Sequence, residues 1–253
     1  MQETKKILIP LPSYGFDPTE TAIPWKILTK NGIKITFSTP NGFSARGDEI
    51  MLTGKKLGIF KNLLKARNDG VVAYKLMSES NEFNHPIPYN EIEVSKYDGI
   101  FLPGGHDKGV IEYLESEILQ NIIPLFFQKD KKIGAVCHGV VLLARSKDKN
   151  TNKSVIYDYK TTALLKRQEL LAYNLTRLWL KDYYLTYPGM TVEDEVKSAL
   201  KNQNNFISGS FPIFRDKEND FKYGFVVKDR NYLSARWPGD IYTFSNAFLE
   251  LIK

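Results

Sequence analysis

The chain has 253 residues, of which 42% are hydrophobic and 25% are charged, a composition typical of a globular protein with a substantial core. A single cysteine excludes an internal disulfide, and nothing indicates an oxidising compartment. The net charge of +6 comes from scattered lysines interrupted by acidic residues, so we predict solvated surface charge and no nucleic-acid partner. The first apolar run is too short for a signal peptide or a membrane span, which favours a cytoplasmic protein without a membrane partner.

Strand and helix patterns alternate along most of the chain. Strands separated by helices of this length predict an α/β fold, with a mostly parallel sheet flanked by helices and joined by right-handed crossovers. Asp17 and Pro18 mark the start of the first helix. The predicted elements are a strand over 6–11, a helix over about 18–31, a strand over 33–38, a strand over 99–103, a helix over about 111–128, a strand over 132–137 followed by a helix, a hairpin of 223–227 with 232–236, and a last helix after 238–240.

Two regions interrupt this alternation and are predicted to be helical insertions, at about 47–95 and 164–202. The first holds a helical segment at 59–67 and a polar stretch that ends at 85–88, which we place beside the sheet. The second is rich in tyrosine and leucine and is suited to cover the sheet edge as a lid. Since there is no internal repeat, low-complexity tract or linker, we predict one elaborated domain over 1–253.

The only cysteine, Cys137, lies between an apolar strand and the start of an apolar helix. The glycines at 134 and 139 indicate a sharp turn, with close approach or unusual dihedrals at those positions. A side chain at such a turn meets the positive end of the following helix, which favours the reactive thiolate. The alternative is a small apolar cysteine in the core.

Three segments are expected to converge at one edge, because reactive groups in an open parallel sheet gather beyond the carboxyl ends of the strands. They are Cys137 with His138, the Gly104-Gly105-His106 loop, and Glu20 on the first helix. Gly105 can supply a free amide for an oxyanion, whereas His106 can equally be a solvated loop residue and Glu20 a simple helix-terminal carboxylate. His138 needs a third group to orient its ring, for which Asp158 and Glu169 are the candidates.

The motifs Ala135-Val136-Cys137-His138-Gly139 and Leu102-Pro103-Gly104-Gly105-His106, together with Glu20 and the segment 22–25, resemble the ThiJ/PfpI superfamily. This superfamily is a branch of the flavodoxin-like, class I glutamine amidotransferase-like fold. The resemblance covers most of the chain, and the insertions resemble its larger branch. That branch includes glyoxalase III enzymes and heat-inducible holding chaperones.

The resemblance implies a role for each matching residue. Cys137 corresponds to the nucleophile at its elbow, His138 to the adjacent base, and Glu20 to the acid that touches the sulfur. Gly105 and His106, with Gly104 before them, correspond to the oxyanion and substrate-contacting loop. A carboxylate downstream of the cysteine orients the histidine in the larger branch, and Glu169 falls at that place.

One departure from the family pattern concerns the substrate pocket. His106 is followed by Asp107-Lys108-Gly109 rather than by the small residues of the glyoxalase III enzymes. His85 lies near Glu91, but two residues make no ligand set, so we predict neither a metal nor a cofactor.

Three classes of function remain open. The favoured one is a cysteine-dependent glyoxalase III-like enzyme that converts a 2-oxoaldehyde to a 2-hydroxy acid, or a related deglycase. A cysteine amidase or peptidase needs the same groups and has an amide as its small-molecule substrate. A holding chaperone or redox sensor is the third class. The aromatic segment 173–190 suits client binding, but a buried lid or a homodimer contact is the favoured interpretation; its aromatic residues are Tyr173, Trp179, Tyr183, Tyr184 and Tyr187.

Overall fold

The computed structural model describes residues 4–253. A seven-stranded sheet runs through its centre in the order β5-β3-β1-β6-β7-β9-β8. All neighbouring strands are parallel except β8 and β9, which form an antiparallel hairpin at one edge. A second, two-stranded sheet pairs β2 with β4. The strands are β1 (Lys6–Pro10), β2 (Tyr14–Phe16), β3 (Lys34–Thr39), β4 (Arg46–Gly47), β5 (Ile87–Pro88), β6 (Gly99–Leu102), β7 (Lys132–Val136), β8 (Val226–Asp229) and β9 (Tyr232–Ala235).

Helices flank this sheet, as expected for parallel strands joined by crossovers. Among residues 4–253, no helix has the length and apolar character needed to cross a membrane. The α-helices are α1 (Pro18–Lys30), α2 (Glu49–Thr53), α3 (Lys61–Leu64), α4 (Asn68–Ser78), α5 (Asn81–Asn84), α6 (Ile111–Leu114), α7 (Glu117–Gln128), α8 (Gly139–Arg145), α9 (Lys166–Leu180), α10 (Val192–Ser198) and α11 (Ile241–Ile252).

The central strands are almost wholly buried. Every residue of β6 is buried, as are the last four residues of β1 and of β7. Burial on both faces explains why these strands are continuous apolar runs rather than alternating ones. The predicted α/β fold with a mostly parallel, helix-flanked sheet is confirmed.

Two predicted helices differ in extent. The helix expected over 111–128 is divided into α6 and α7, because the hydroxyl of Ser116 caps α7 by accepting from the amide of Leu119 at 3.3 Å. The segment 59–67 holds only α3 and a preceding 3₁₀ turn at Gly58–Phe60. Lys65 then takes an extended conformation, which ends the helix.

The polar stretch that ends at 85–88 was predicted to lie beside the sheet, and this prediction is wrong for its last two residues. Ile87 and Pro88 form β5, the edge strand that pairs with the end of β3. Proline is tolerated there because an edge strand needs fewer ladder donors. Pro10, by contrast, ends the central strand β1 and leads the chain to the site.

Candidate active site

Cys137 follows directly after β7 and adopts a left-handed backbone conformation, with φ of 56°. This conformation costs a non-glycine residue about 1–2 kcal/mol. The unusual dihedral was expected at the neighbouring glycines, but it falls on the cysteine itself. Gly139 is needed for space instead, since a Cβ there would lie 2.1 Å from the carbonyl oxygen of Leu102. The turn therefore holds the thiol at the carboxyl edge of the sheet at a cost in backbone strain.

The Cys137 side chain is 1% exposed. Burial raises the pKa of the thiol well above its ordinary value, and the nearby Glu20 carboxyl raises it further. The expectation that the turn favours a resting thiolate is therefore wrong. The backbone amide of His138 lowers the pKa of the thiol, but this effect is smaller than that of burial. A base is needed to remove the proton.

Glu20 is fully buried at the start of α1 and lies against the sulfur. Its Oε2 accepts from the amide of Gly104 at 2.9 Å. Asp17 caps the helix, accepting from the amides of Thr19 and Glu20 at 2.8 and 2.9 Å, so Glu20 is free for another role. Burial, with a smaller contribution from Asp17, raises the pKa of the Glu20 carboxyl well above its ordinary value. This shift favours the protonated carboxyl, which holds a transferable proton.

The imidazole of His138 connects the thiol to a threonine. Nδ1 of His138 lies 3.4 Å from Sγ of Cys137. On the other side of the ring, Nε2 lies 2.9 Å from Oγ1 of Thr186. Burial, followed by the neighbouring His106 ring, lowers the pKa of His138 well below its ordinary value, so the ring is neutral.

The partners of Thr186 fix which ring nitrogen of His138 carries the proton. Thr186 donates its single hydroxyl proton to the carbonyl oxygen of His106 at 3.1 Å. The same hydroxyl can then only accept from His138, so Nε2 carries the hydrogen. The lone pair of Nδ1 is left facing the Cys137 thiol. This arrangement has the tautomer that a base for the cysteine requires.

Neither predicted carboxylate orients His138. Oε2 of Glu169 instead accepts from the amide of Val192 at 3.0 Å, linking α9 to α10. Burial raises the pKa of Glu169 to about 7. Asp158 is exposed and lies 3.6 Å from the Lys201 ammonium, away from the site. The place of the expected carboxylate is taken by Thr186, which lies within the predicted insertion at 164–202.

The segment from Tyr183 to Thr186, hereafter the cover segment, lies over the site. Tyr184 packs edge-on against the His106 ring with centroids 5.0 Å apart. Tyr183 packs against Tyr184 and donates a hydrogen bond to Asp48. These tyrosines are buried, which agrees with a lid.

Lys108, in the segment that departs from the family pattern, fastens the cover segment. Its ammonium donates to the carbonyl oxygens of Leu185 and Thr186 at 2.5 and 3.1 Å and lies 3.2 Å from Asp182. Asp107 shapes the loop by accepting from the amide of Gly109 at 2.8 Å. The residues that looked out of place therefore hold Thr186 beside His138. No local sequence signal pairs Lys108 with a segment so distant along the chain.

The loop after β6 supplies polar groups next to the thiol. A Cβ at Gly104 would lie 2.7 Å from the amide of His138 and 2.9 Å from Cβ of Cys137, so only glycine fits. Among the described residues, the amides of Gly105 and His106 have no hydrogen-bond partner. Burial lowers the pKa of His106 to about 4, so its ring is neutral too. The free amides can stabilise a negatively charged oxygen.

The third histidine is remote from this cluster. His85 is exposed and its Nδ1 lies 2.9 Å from the carbonyl oxygen of Asn81. Across residues 4–253, no group of three or more His, Cys, Asp or Glu side chains has an arrangement that could hold a metal ion.

Comparison with protein families gives a match to the description "ThiJ/PfpI family-like" over residues 11–206. A glutathione-independent glyoxalase of Schizosaccharomyces pombe, hsp3102, is 27% identical over 213 residues, which are 81% of this chain and 75% of the relative. An uncharacterized protein of the same yeast, C14C4.04, is 30% identical over 122 residues. That match covers 47% of this chain and 44% of the relative, so the chain spans less than half of that protein's length.

Among solved structures, glyoxalase III from Candida albicans superposes with a TM-score of 0.67. The superposition covers 98% of both chains at 19% sequence identity. At this identity the likeness concerns the fold. It shows that the sheet order and its flanking helices recur in a protein of the same architecture.

Proposed function

The chain belongs to the ThiJ/PfpI-like family, and on that premise we propose that it is a glutathione-independent glyoxalase that converts a 2-oxoaldehyde into a 2-hydroxy acid with its own side chains. The single observation that carries the proposal is the chain of contacts from Cys137 through His138 to Thr186. Similarity to a glyoxalase over most of the length of both proteins supports it.

The reaction begins with the activation of a neutral thiol. Nδ1 of His138 takes the proton of Cys137 as the sulfur attacks the aldehyde carbon, so that the thiolate forms only when a substrate is present. The aldehyde oxygen becomes an oxyanion. The free amides of Gly105 and His106 are the donors proposed to stabilise it. His138 then gives the proton to this oxyanion, so the product of the step is a hemithioacetal on Cys137 and the imidazole is neutral again.

A proton then moves between the two substrate carbons. His138 removes the hydrogen from the former aldehyde carbon while Glu20 gives its proton to the oxygen of the neighbouring carbonyl group, and the product is an enediol. His138 then returns the proton to the neighbouring carbon, and Glu20 takes back a proton from the hydroxyl of the former aldehyde carbon, so both side chains end as they began. The raised pKa of Glu20 favours the protonated carboxyl that this role requires. This step leaves a 2-hydroxy thioester. Water cleaves the thioester, releasing the 2-hydroxy acid and the free thiol, and no external electron donor or acceptor is consumed.

The proposal is tested by incubating the protein with methylglyoxal without glutathione and measuring lactate enzymatically. The wild type is expected to turn over, and Cys137→Ala to lose all turnover. Since Cys137 is the only cysteine, alkylation by iodoacetamide reports on this thiol alone. Leu178→Ala is the control, because Leu178 is 89% exposed on α9 and touches none of the reacting groups. Lactate formation by Cys137→Ala at the wild-type rate would overturn the mechanism.

Parallel assays separate the alternative activities. A deglycase would restore amines that methylglyoxal has already modified, and an amidase would release ammonia or an amine from an amide substrate. Either activity in the absence of lactate formation would replace the glyoxalase proposal. Suppression of client aggregation that is equal in the wild type and in Cys137→Ala would indicate chaperoning independent of the thiol.

A further inference from the structure

A cavity of about 240 Å³ lies beside the proposed reacting groups. His106 forms part of its wall, and the same ring packs against the His138 ring with centroids 5.3 Å apart. Tyr184 of the cover segment lines it as well. The cavity therefore reaches His106, whose ring contacts the proposed base of Cys137.

The remaining wall is largely hydrocarbon. Helix α3, helix α9 and the loop at 211–213 contribute aliphatic and aromatic side chains to it. Towards the surface, Leu63 and Ile213 are 61% and 69% exposed, so the apolar wall continues to an open mouth. The aliphatic side chains that line it are Leu63, Leu64, Leu164, Leu171, Leu175 and Ile213.

Some of the residues that line this cavity carry buried polar atoms without partners. Nδ1 of His106, the hydroxyl of Tyr184 and Nε1 of Trp237 are buried and have no hydrogen-bond partner among the described residues. All three residues line the cavity. An indole N–H can only donate, and a carbonyl oxygen can only accept. A ligand with adjacent carbonyl groups would supply the acceptors that these residues lack.

The size of the cavity decides how much of its wall a ligand can contact. Pockets for drug-sized ligands have volumes of roughly 300–1,000 Å³, and this cavity falls just below that range. A three-carbon aldehyde such as methylglyoxal leaves most of the hydrocarbon wall without contact. A phenyl or branched alkyl group fills it and removes apolar surface from water.

We propose that this cavity binds the side chain of the substrate, so that the protein prefers aryl and branched-alkyl 2-oxoaldehydes over methylglyoxal. The inference rests on the proposed glyoxalase function and adds the substrate class. The dicarbonyl end lies towards His106, and the hydrocarbon end lies between α3 and α9. Adding apolar groups to a substrate typically changes kcat/KM by about tenfold or more for each well-packed group.

The experiment compares kcat/KM for phenylglyoxal, 4-methyl-2-oxopentanal and methylglyoxal. The wild type is expected to prefer the two larger substrates at least tenfold. Ala172→Phe places a ring in the cavity and should lower kcat/KM for phenylglyoxal at least tenfold while leaving methylglyoxal within threefold. Leu178→Phe adds a ring to the same helix outside the cavity and should change neither. A wild type that prefers methylglyoxal, or an Ala172→Phe variant that slows both substrates equally, would overturn the inference.

A binding measurement separates failure of this inference from failure of the proposed function. Acetophenone carries the ring and one carbonyl but undergoes no glyoxalase reaction, and its binding is measured by calorimetry. Binding that Ala172→Phe weakens at least tenfold supports the cavity as the side-chain site even if no 2-oxoaldehyde is converted. Absence of binding to the wild type overturns it. Should Ala172→Phe fail to fold, Leu175→Ala removes part of the wall and should weaken phenylglyoxal turnover selectively.

Discussion

Oγ1 of Thr186 lies 2.9 Å from Nε2 of His138, although the two residues are 48 positions apart in the chain. Because the hydroxyl of Thr186 donates its hydrogen bond to the carbonyl oxygen of His106, it can only accept a hydrogen bond from the His138 imidazole. A neutral hydroxyl here does what a carboxylate commonly does for a catalytic histidine, which is to fix the tautomer. It adds no charge, so it does not raise the basicity of the ring.

Thr186→Val keeps the shape of the side chain and removes the hydroxyl. Nε2 of His138 then loses its acceptor, and the tautomer with its proton on Nδ1 becomes accessible. We expect kcat/KM for the preferred 2-oxoaldehyde to fall roughly tenfold to a hundredfold, the equivalent of about 1–3 kcal/mol for an unpaired buried group. Thr186→Ser retains the hydroxyl and should restore most of the rate. Equal activity in the valine and serine variants would contradict a role for the hydroxyl, and the pH–rate profile distinguishes this role from simple loss of stability.

Lys108→Met removes the ammonium that holds the cover segment. We expect faster backbone hydrogen exchange over 182–187 and a lower kcat, because Thr186 is no longer held beside His138. Lys5→Met is the matched control, since Lys5 forms an ion pair of the same 3.2 Å length with Asp98 at a distant place. Exchange that is unchanged by Lys108→Met would show that the tyrosines alone hold the segment.

Glu20→Gln preserves the hydrogen bond from the Gly104 amide but cannot transfer a proton. We expect the variant to fold and kcat to fall by about a hundredfold or more, the usual contribution of a general acid or base. Glu112→Gln serves as control, because Glu112 also accepts a backbone amide, from Ser13 at 3.0 Å, but lies on the exposed surface. A Glu20→Gln variant with wild-type kcat would assign the proton transfer to His138 alone.

Asp48 should make the stability of the protein depend on pH. Burial is the largest effect on this carboxyl and raises its pKa to about 7, while the hydrogen bond from Tyr183 opposes the rise. The folded state thus retains a proton that the unfolded state releases near pH 4. Its contribution to stability is complete below that pH and is lost as the pH rises towards and through 7.

The corresponding measurement is the melting temperature between pH 5 and pH 8. It should fall with rising pH in the wild type, and Asp48→Asn should reduce the slope. The amide oxygen of asparagine can still accept from the amides of Ile50 and Met51, as Asp48 does at 2.8 and 3.2 Å. An identical slope in both proteins would mean that other buried carboxyls, Glu20 among them, dominate the dependence.

Much of the fold followed from local patterns. The apolar runs of β1, β6 and β7 mark buried parallel strands, and Asp17 with Pro18 marks the start of α1. The prediction of one continuous helix over 111–128 was wrong because a local side-chain hydrogen bond starts a second helix there. Ser116 offers a side-chain acceptor that begins a new helix, and the apolar spacing of 111–128 contains no sign of that break.

The sequence by itself determined the central parallel strands and the convergence of Glu20, Gly104 and Cys137, because the carboxyl ends of parallel strands meet at one edge of the sheet. The tertiary structure alone decided the protonation state of the thiol and the partner of His138. Both depend on what packs over the turn. Burial raises the free-energy cost of a charged Cys137 thiolate. Lys108 holds Thr186, which belongs to a distant segment of the chain, beside His138. Such contacts leave no periodicity in the chain, since hydrogen bonds between separate elements depend on position in space rather than on spacing in sequence.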